Sequence, residues 1–380
     1  MVSYAGKLVL APMVRAGELP TRLLALQNGA DLVWSPEIID KKLIATHRKI
    51  NTKLKTIDYT ISKDAKETLV FRTFPELESG KLIFQIGSGS PDLAVAASLK
   101  VINDVDGIDL NCGCPKHFSV HAGMGAALLR KPDLLCSILS HLVNKVGNPF
   151  NKPISCKIRI LENSQDTLDL VSKICVTGIK NLTVHFRTPD MRNREAPNYE
   201  YIHDIYKICK TNNVSLTLNG SIKNRAHFNE IKKKYNFDTE ISGMIADCAE
   251  TNPTVFSEAP LYWPQVIKNF VQIATKFDNN FGNTKYMLGR LVPGKSVFHK
   301  TFTRSRNPSE LNYIVDKLNL ETGDLDDIDA INEYLDTCRE EESKAKKLQN
   351  DANSRKRQQE LATTQSPNEH GQKLKKVKEE

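Results

Sequence analysis

LIFQIGSGSPDLAVAASLKVINDVDGIDLNCG, residues 82–113, holds one complete strand–helix–strand unit, and its reading decides the fold. LIFQIG (82–87) and GIDLNCG (107–113) are short apolar runs of β-forming residues. PDLAVAASLKVI between them has helical periodicity and opens on a proline, which suits the first turn because its missing N–H has no partner to lose there. The unit recurs in both directions. KLVLAP (7–12) and DLVWSP (31–36) precede it; ISCKIRI (154–160), NLTVHF (181–186), VSLTLNG (214–220) and ISGMIAD (241–247) follow, with a second proline-initiated helix in KPDLLCSILSHLVNKV (131–146). Eight such runs over roughly 250 residues are the arithmetic of an α/β fold of the TIM (β/α)₈ barrel type, whereas a doubly wound open sheet usually needs fewer strands.

The interval between the second and third runs is too long for one helix. It holds KKLIATHRKINTKLK (41–55), with six cations and no acid, then the strand-like DYTISKD and ETLVFRTF. This predicts an inserted hairpin or loop over one mouth of the barrel, its charge suiting a solvated loop or an RNA-facing surface equally. After Pro264 the strand alternation stops, and VIKNFVQIATKFDNN and YMLGRLVPGKSVFHKTFTR read as helices. Three regions are therefore expected: a barrel at 1–255, a helical domain at 256–338 and a charged, largely disordered tail at 339–380. The tail lacks aromatic residues and is rich in Lys, Glu, Gln and Asn, so it cannot bury enough surface to fold alone. Glu340 to Gln358 suits a helical extension. RKR (355–357) and KLKKVK (373–378) read as a solvated tail, or as a nuclear signal or RNA-binding segment.

The chain has 380 residues, 40% hydrophobic and 26% charged, and no apolar run near ~18 residues, so no membrane span or membrane partner is expected. Its net charge of +8 is unevenly placed: residues 1–263 carry 33 cations against 27 acids, 264–308 carry 8 against 1, 309–338 carry 1 against 9, and 339–380 carry 11 against 8. The cationic helical segment is where phosphates would be attracted. No basic stretch followed by an apolar core opens the sequence, which predicts a cytoplasmic protein with a second, nuclear location open. Its 8 scattered cysteines do not read as a disulfide framework. Cys112, Cys114, His117 and His121 superficially offer four metal ligands, but C-x-C is a poor chelating spacing and no metal is expected.

Functional side chains of such a barrel sit where its strands end. Those positions hold Pro12 and Met13, Gln85, Asn111 with Cys114, Lys157 with Arg159, His185 with Arg187, Asn219-Gly220-Ser221 and Ala246-Asp247. A ring of amide, ammonium and imidazole groups around one mouth suits an anionic cofactor with many acceptors. The turns after the seventh and eighth strands are where these barrels often hold a phosphate. Cys112, two residues before Cys114 on the same strand, is expected to pack. Gly123 and Gly125 in AGMGAALL suit a lid better than a nucleotide loop. Arg15 and Arg22 suit either RNA contact or capping of the mouth.

VLAPMVRAGELPTR at the first strand, GIDLNCGCPKHFSVHAGMGAALL at the fourth and VHFRT at the sixth resemble the tRNA-dihydrouridine synthases, in particular the eukaryotic branch associated with tRNA position 20. The resemblance covers residues 5 to about 335, and the fourth-strand motif is its specific part. It implies a flavin mononucleotide (FMN) enzyme, a monomer using NADPH or NADH as reductant, that reduces the C5=C6 bond of a D-loop uridine in tRNA. Carried over residue by residue, it assigns Cys114 as the general acid that protonates C5. Lys157 and His185 would contact the flavin, Gln85 the ring edge, and Pro12, Met13 and Val14 a shelf beneath it. Asn111 and Arg187 would hold the uracil carbonyls, and Asn219, Gly220, Ser221, Ala246 and Asp247 the flavin phosphate. Asp247 departs from the Arg frequent at its place. A carboxylate cannot pair with phosphate, so that turn would have to bind through backbone N–H groups, with Lys157 or Arg225 supplying charge. Two rivals stay open on the residues alone: a flavin barrel acting on a small pyrimidine-like substrate, and an inactive tRNA-binding protein.

Overall fold

A computed structural model describes residues 2–64, 66–237 and 239–364. Eight parallel strands close into a barrel: β1 (Leu8–Leu10), β2 (Leu32–Trp34), β3 (Leu82–Gly87), β4 (Gly107–Cys112), β5 (Ile154–Arg159), β6 (Asn181–His185), β7 (Ser215–Asn219) and β8 (Ser242–Ile245). Each expected run supplies one strand. Closure is set by Leu8 opposite Gly243 between β1 and β8, and by Val33 opposite Leu82 between β2 and β3. The strands are buried on both faces, as a parallel sheet under helices requires. Leu10, Val33, Phe84, Leu110 and Ile158 turn outward into the core shared with the helices, while Val9, Trp34, Ile83 and Met244 form a separate inner cluster with Tyr4.

Side chains fix where several helices begin. Asn163 accepts from the Gln165 N–H (2.8 Å) ahead of Ser164–Cys175, and Asn224 from the His227 N–H (2.9 Å) ahead of Arg225–Lys234, each satisfying a donor the helix itself cannot.

The insertion is a three-stranded antiparallel sheet, His47–Asn51, Thr56–Lys63 and Lys66–Thr73. It lies on the flank of the barrel and not over a mouth, because its inward side is apolar. Tyr59 and Phe71 are buried, and Phe71 meets the outward-facing Phe84 of β3 edge-on at 4.9 Å. Only two short helices, Asp40–Ile44 and Pro75–Glu78, stand between β2 and β3, so the sheet fills most of the space a full crossover helix would take. Two of its cations are neutralised locally, Arg48 by Asp104 (2.7 Å) and Lys49 by Glu67.

The chain divides at Asp324/Leu325 into two compact units. In the first, helices Trp263–Lys276, Phe281–Leu291, Val297–Phe302 and Pro308–Asp316 follow the barrel. Phe277 packs on Phe74 at 4.8 Å beside Leu19 and Leu23, which fastens the first of these helices to the barrel's opening helix. Phe298 and Phe302 are core residues, whereas Tyr262 is 48% exposed. In the second unit, Ile328–Thr364 is one helix that takes in Glu340–Gln358 and RKR; KLKKVK lies outside the described residues. No described helix is long and apolar enough to cross a membrane.

Candidate active site

The C-terminal ends of the strands open into a cavity of about 650 Å³. Every residue singled out from the strand ends and the family motifs as a site residue lines it, from Pro12, Met13 and Val14 on one side to Ala246 and Asp247 on the other. The strand period brings them together: Gln85, Asn111, Lys157, His185 and Asn219 share the interior-facing parity of their strands.

Cys114 sits just past β4, in a loop held by Asn111. The Asn111 Oδ1 accepts from the backbone N–H of both Gly113 (3.0 Å) and Cys114 (3.1 Å). Behind the thiol, the Cys114 carbonyl accepts from the Ala126 N–H (2.9 Å). A Cβ on Gly125 would fall 2.6 Å from that same oxygen, so this glycine is required for the close approach, and AGMGAALL braces the Cys114 loop. Burial pushes the Cys114 thiol above its ordinary range, and the Glu37 carboxylate adds to this, against the Lys116 backbone N–H, the Lys116 charge and Ser119. The thiol therefore keeps its proton at neutral pH. Cys112 points the other way into the core and is fully buried.

Three cations gather on the far wall. Burial lowers Lys157 to about 8, assisted by the neighbouring Arg159, while Asp109 and Cys114 oppose the shift. Burial likewise depresses Arg159, which is tied by its Nε to the Gly113 carbonyl (3.0 Å) and by Nη1 to the Thr188 carbonyl (2.9 Å). His185 is held far below its ordinary range by burial and then by Lys157, Arg159 and Arg187, so it is neutral. Its Nε2 faces Arg187 Nη1 at 2.9 Å, which makes Nε2 the acceptor and leaves the proton on Nδ1. Arg187 is largely spent inside the protein: it also donates to the Glu195 carbonyl (2.7 Å), the Asn193 carbonyl (2.9 Å) and Ser221 Oγ (2.6 Å).

At the turn after β7, Gly220 has φ 131° and Ser221 φ 56°. A Cβ on Gly220 would stand 3.2 Å from Pro197 and 3.5 Å from the His185 ring. Asn219 Nδ2 donates to the Met244 carbonyl (3.0 Å), fixing the β7 and β8 turns together. The Asp247 carboxylate accepts from Asn193 Nδ2 (3.1 Å) and so holds the loop that Arg187 pins from within. Arg225, considered above as a source of positive charge, is turned away: it donates to the Phe256 carbonyl (2.7 Å) and the Gly29 carbonyl (2.8 Å). Lys223, two residues beyond this turn, also lines the cavity.

The strand-end reading missed Glu37, although it directly follows the second run and the same rule finds it. Tyr286 and Arg290 carry no such signal. They reach the cavity from helix Phe281–Leu291, where Tyr286 donates to Glu250 Oε1 (3.0 Å) and Arg290 pairs with the same carboxylate (3.0 Å). Arg15 stacks over the Tyr286 ring at 3.9 Å, and Arg22 is fully buried against Glu78 (2.7 Å), so Arg22 is a structural cation. No group of three or more His, Cys, Asp or Glu suited to a metal occurs among the described residues; the His117 side chain lies outside them.

A family model described as dihydrouridine synthase (Dus) matches residues 31–333. The chain is 59% identical over 368 residues to a Saccharomyces cerevisiae protein named tRNA-dihydrouridine(20) synthase [NAD(P)+], covering 94% of this chain and 95% of that one. A Schizosaccharomyces pombe protein of the same name is 49% identical over 298 residues, 77% of this chain and 61% of the other. A Saccharomyces cerevisiae tRNA-dihydrouridine(20a/20b) synthase [NAD(P)+] is 31% identical over 216 residues, 56% of this chain and 52% of that one.

Proposed function

Because this chain belongs to the dihydrouridine synthase family, we propose that it reduces the D-loop uridine at position 20 of tRNA to 5,6-dihydrouridine, using FMN and NADPH or NADH. The observation that carries the reading is a protonated thiol, Cys114, sharing one cavity with the half-buried ammonium of Lys157.

The cavity fits a flavin mononucleotide on three counts. Its volume is within the range of cofactor sites, Ala11, Pro12 and Met13 give it an apolar shelf, and Lys157 and Lys223 offer cations to an electron-rich ring and a phosphate. Asn219, Gly220 and Ser221, with the Ala246 and Asp247 backbone, would receive the phosphate. Asp247 is compatible with that role because its carboxylate is engaged by Asn193. When bound, FMN supplies the hydride that reduces the C5=C6 bond.

The chain's own residues do the rest. Cys114 holds the proton destined for C5, and Asn111 fixes the loop that presents it. The Asn111 amide is hydrogen-bonded to the Glu37 carboxylate and would offer its second N–H to a uracil carbonyl, whereas Arg187 acts chiefly by pinning the Asn193 loop. A looped, weakly stacked base costs little to turn out into the mouth, where Tyr286 and Arg290 flank the entry. The cationic helices at 264–308 would grip tRNA phosphates, with the protein acting as a monomer in the cytoplasm and also in the nucleus. Replacing Cys114 with Ala tests the assignment: bound flavin and its reduction by NADPH should persist while uridine turnover falls about 10²- to 10⁴-fold. Full turnover in that variant would remove the thiol from the mechanism.

A further inference from the structure

Asp109 lies beneath the cavity floor and does not line it. It is fully buried inside the barrel on β4. Its Oδ2 accepts from Gln85 Nε2 (2.8 Å) and its Oδ1 from Ser155 Oγ (2.6 Å). Lys157, two residues beyond Ser155 on the same face of β5, is the cation it attracts. Burial raises the Asp109 carboxyl to about 6, against the pull of Ser155, Gln85 and Lys157, so at neutral pH it is chiefly ionised.

An ionised carboxylate can only accept hydrogen bonds, which settles the orientation of the amide above it. Gln85 must turn its nitrogen down to Asp109, and its carbonyl oxygen is what it has left for the cavity. Lys157, across β4 from Gln85, presents a donor. An acceptor and a cationic donor set side by side complement an imide edge, an N–H flanked by carbonyls. The isoalloxazine ring carries such an edge at N3.

We propose that Asp109 is the positioning residue of the flavin site: it locks Gln85 with its carbonyl toward the cavity and so makes the site select a flavin whose N3 bears hydrogen. The inference rests on the reading that this cavity binds FMN. Asp109 touches no ligand and acts through Gln85 and Lys157. Its hydrogen-bond partners and the Lys157 cation offset the cost of holding a carboxylate in the interior.

The test compares FMN with 3-methyl-FMN, which lacks the N3–H, by titrating apoprotein and following flavin fluorescence. Wild type should bind FMN at least about 30-fold more tightly, the cost of leaving a buried acceptor unpaired. In Asp109→Asn, whose own amide lets Gln85 flip, that preference should shrink to within about 3-fold while the melting temperature stays close to wild type. Asp109→Ser should do the same. A merely structural role would weaken both flavins together and leave their ratio unchanged. If both variants fail to fold, wild type still decides the matter through its Gln85 side-chain N–H₂ protons, which should be protected from hydrogen exchange; rapid exchange overturns the inference. A full preference retained in either folded variant also overturns it while leaving FMN binding intact. Wild type that takes up neither flavin defeats the functional reading, and this inference with it.

Discussion

Asn111 illustrates how one side chain can be read correctly as belonging to the site and still be short of its role until the contacts are known. Its position at the end of β4 was visible in NCGCPK, but the two backbone N–H groups on its carbonyl oxygen were not. Asn111→Ala leaves both donors buried and unpaired, at about 1–3 kcal/mol each. Iodoacetamide should then alkylate Cys114 faster, and the melting temperature should drop; unchanged alkylation would mean the loop holds itself. Lys157 sets a pH limit. Its ammonium is present below about 8 and lost above it. The Cys114 thiol is shifted upward and stays protonated through the same window. Uridine turnover should therefore decline as pH rises through about 8, and Lys157→Arg, charged throughout, should flatten that limb. A wild-type profile level from pH 7 to 9.5 would contradict the assignment.

At the scale of elements, the inserted sheet carries structural weight that its cationic composition concealed. Arg22 in the barrel's opening helix is fully buried, ion-paired to Glu78 and bonded to the Arg72 carbonyl of the sheet (2.7 Å). Glu78→Ala strands that guanidinium without its partner, with an expected loss of about 3–5 kcal/mol in denaturant unfolding. Phe71→Ala empties the contact on Phe84 and should cost about 3–5 kcal/mol. Losses under 1 kcal/mol for both would return the sheet to the status of a surface loop. The alternation in ETLVFRTF did announce strands. Which side of the barrel they cover depended on Phe71, packed on Tyr59, meeting Phe84 of β3, a contact between elements that the strand pattern does not encode.

For the whole molecule, the charge is what reaches beyond contact distance. The segment 264–308 holds 8 cations against 1 acid, and its exposed Lys295 and Lys300 stand on the helical part of the unit that also forms the mouth. Counterion release makes tRNA affinity fall steeply with salt. Lys295→Glu combined with Lys300→Glu should weaken tRNA binding about tenfold or more in gel shifts and lower the salt slope by roughly two, with FMN affinity unchanged. An unaltered slope would move the RNA footprint elsewhere.

The sequence by itself determined the eight strands, the barrel that their number implies and the ring of residues at their ends, because short apolar runs, their spacing and strand-end position are properties of local order. Tertiary structure alone decided what those residues do to one another. Gln85 points its amide by way of Asp109, Arg187 is consumed by the Asn193 loop, Arg225 faces away, and Tyr286 and Arg290 arrive from a helix beyond the barrel. Each of these depends on a donor meeting an acceptor across strands or loops, and a buried polar group takes whatever partner the closed fold brings within about 3 Å.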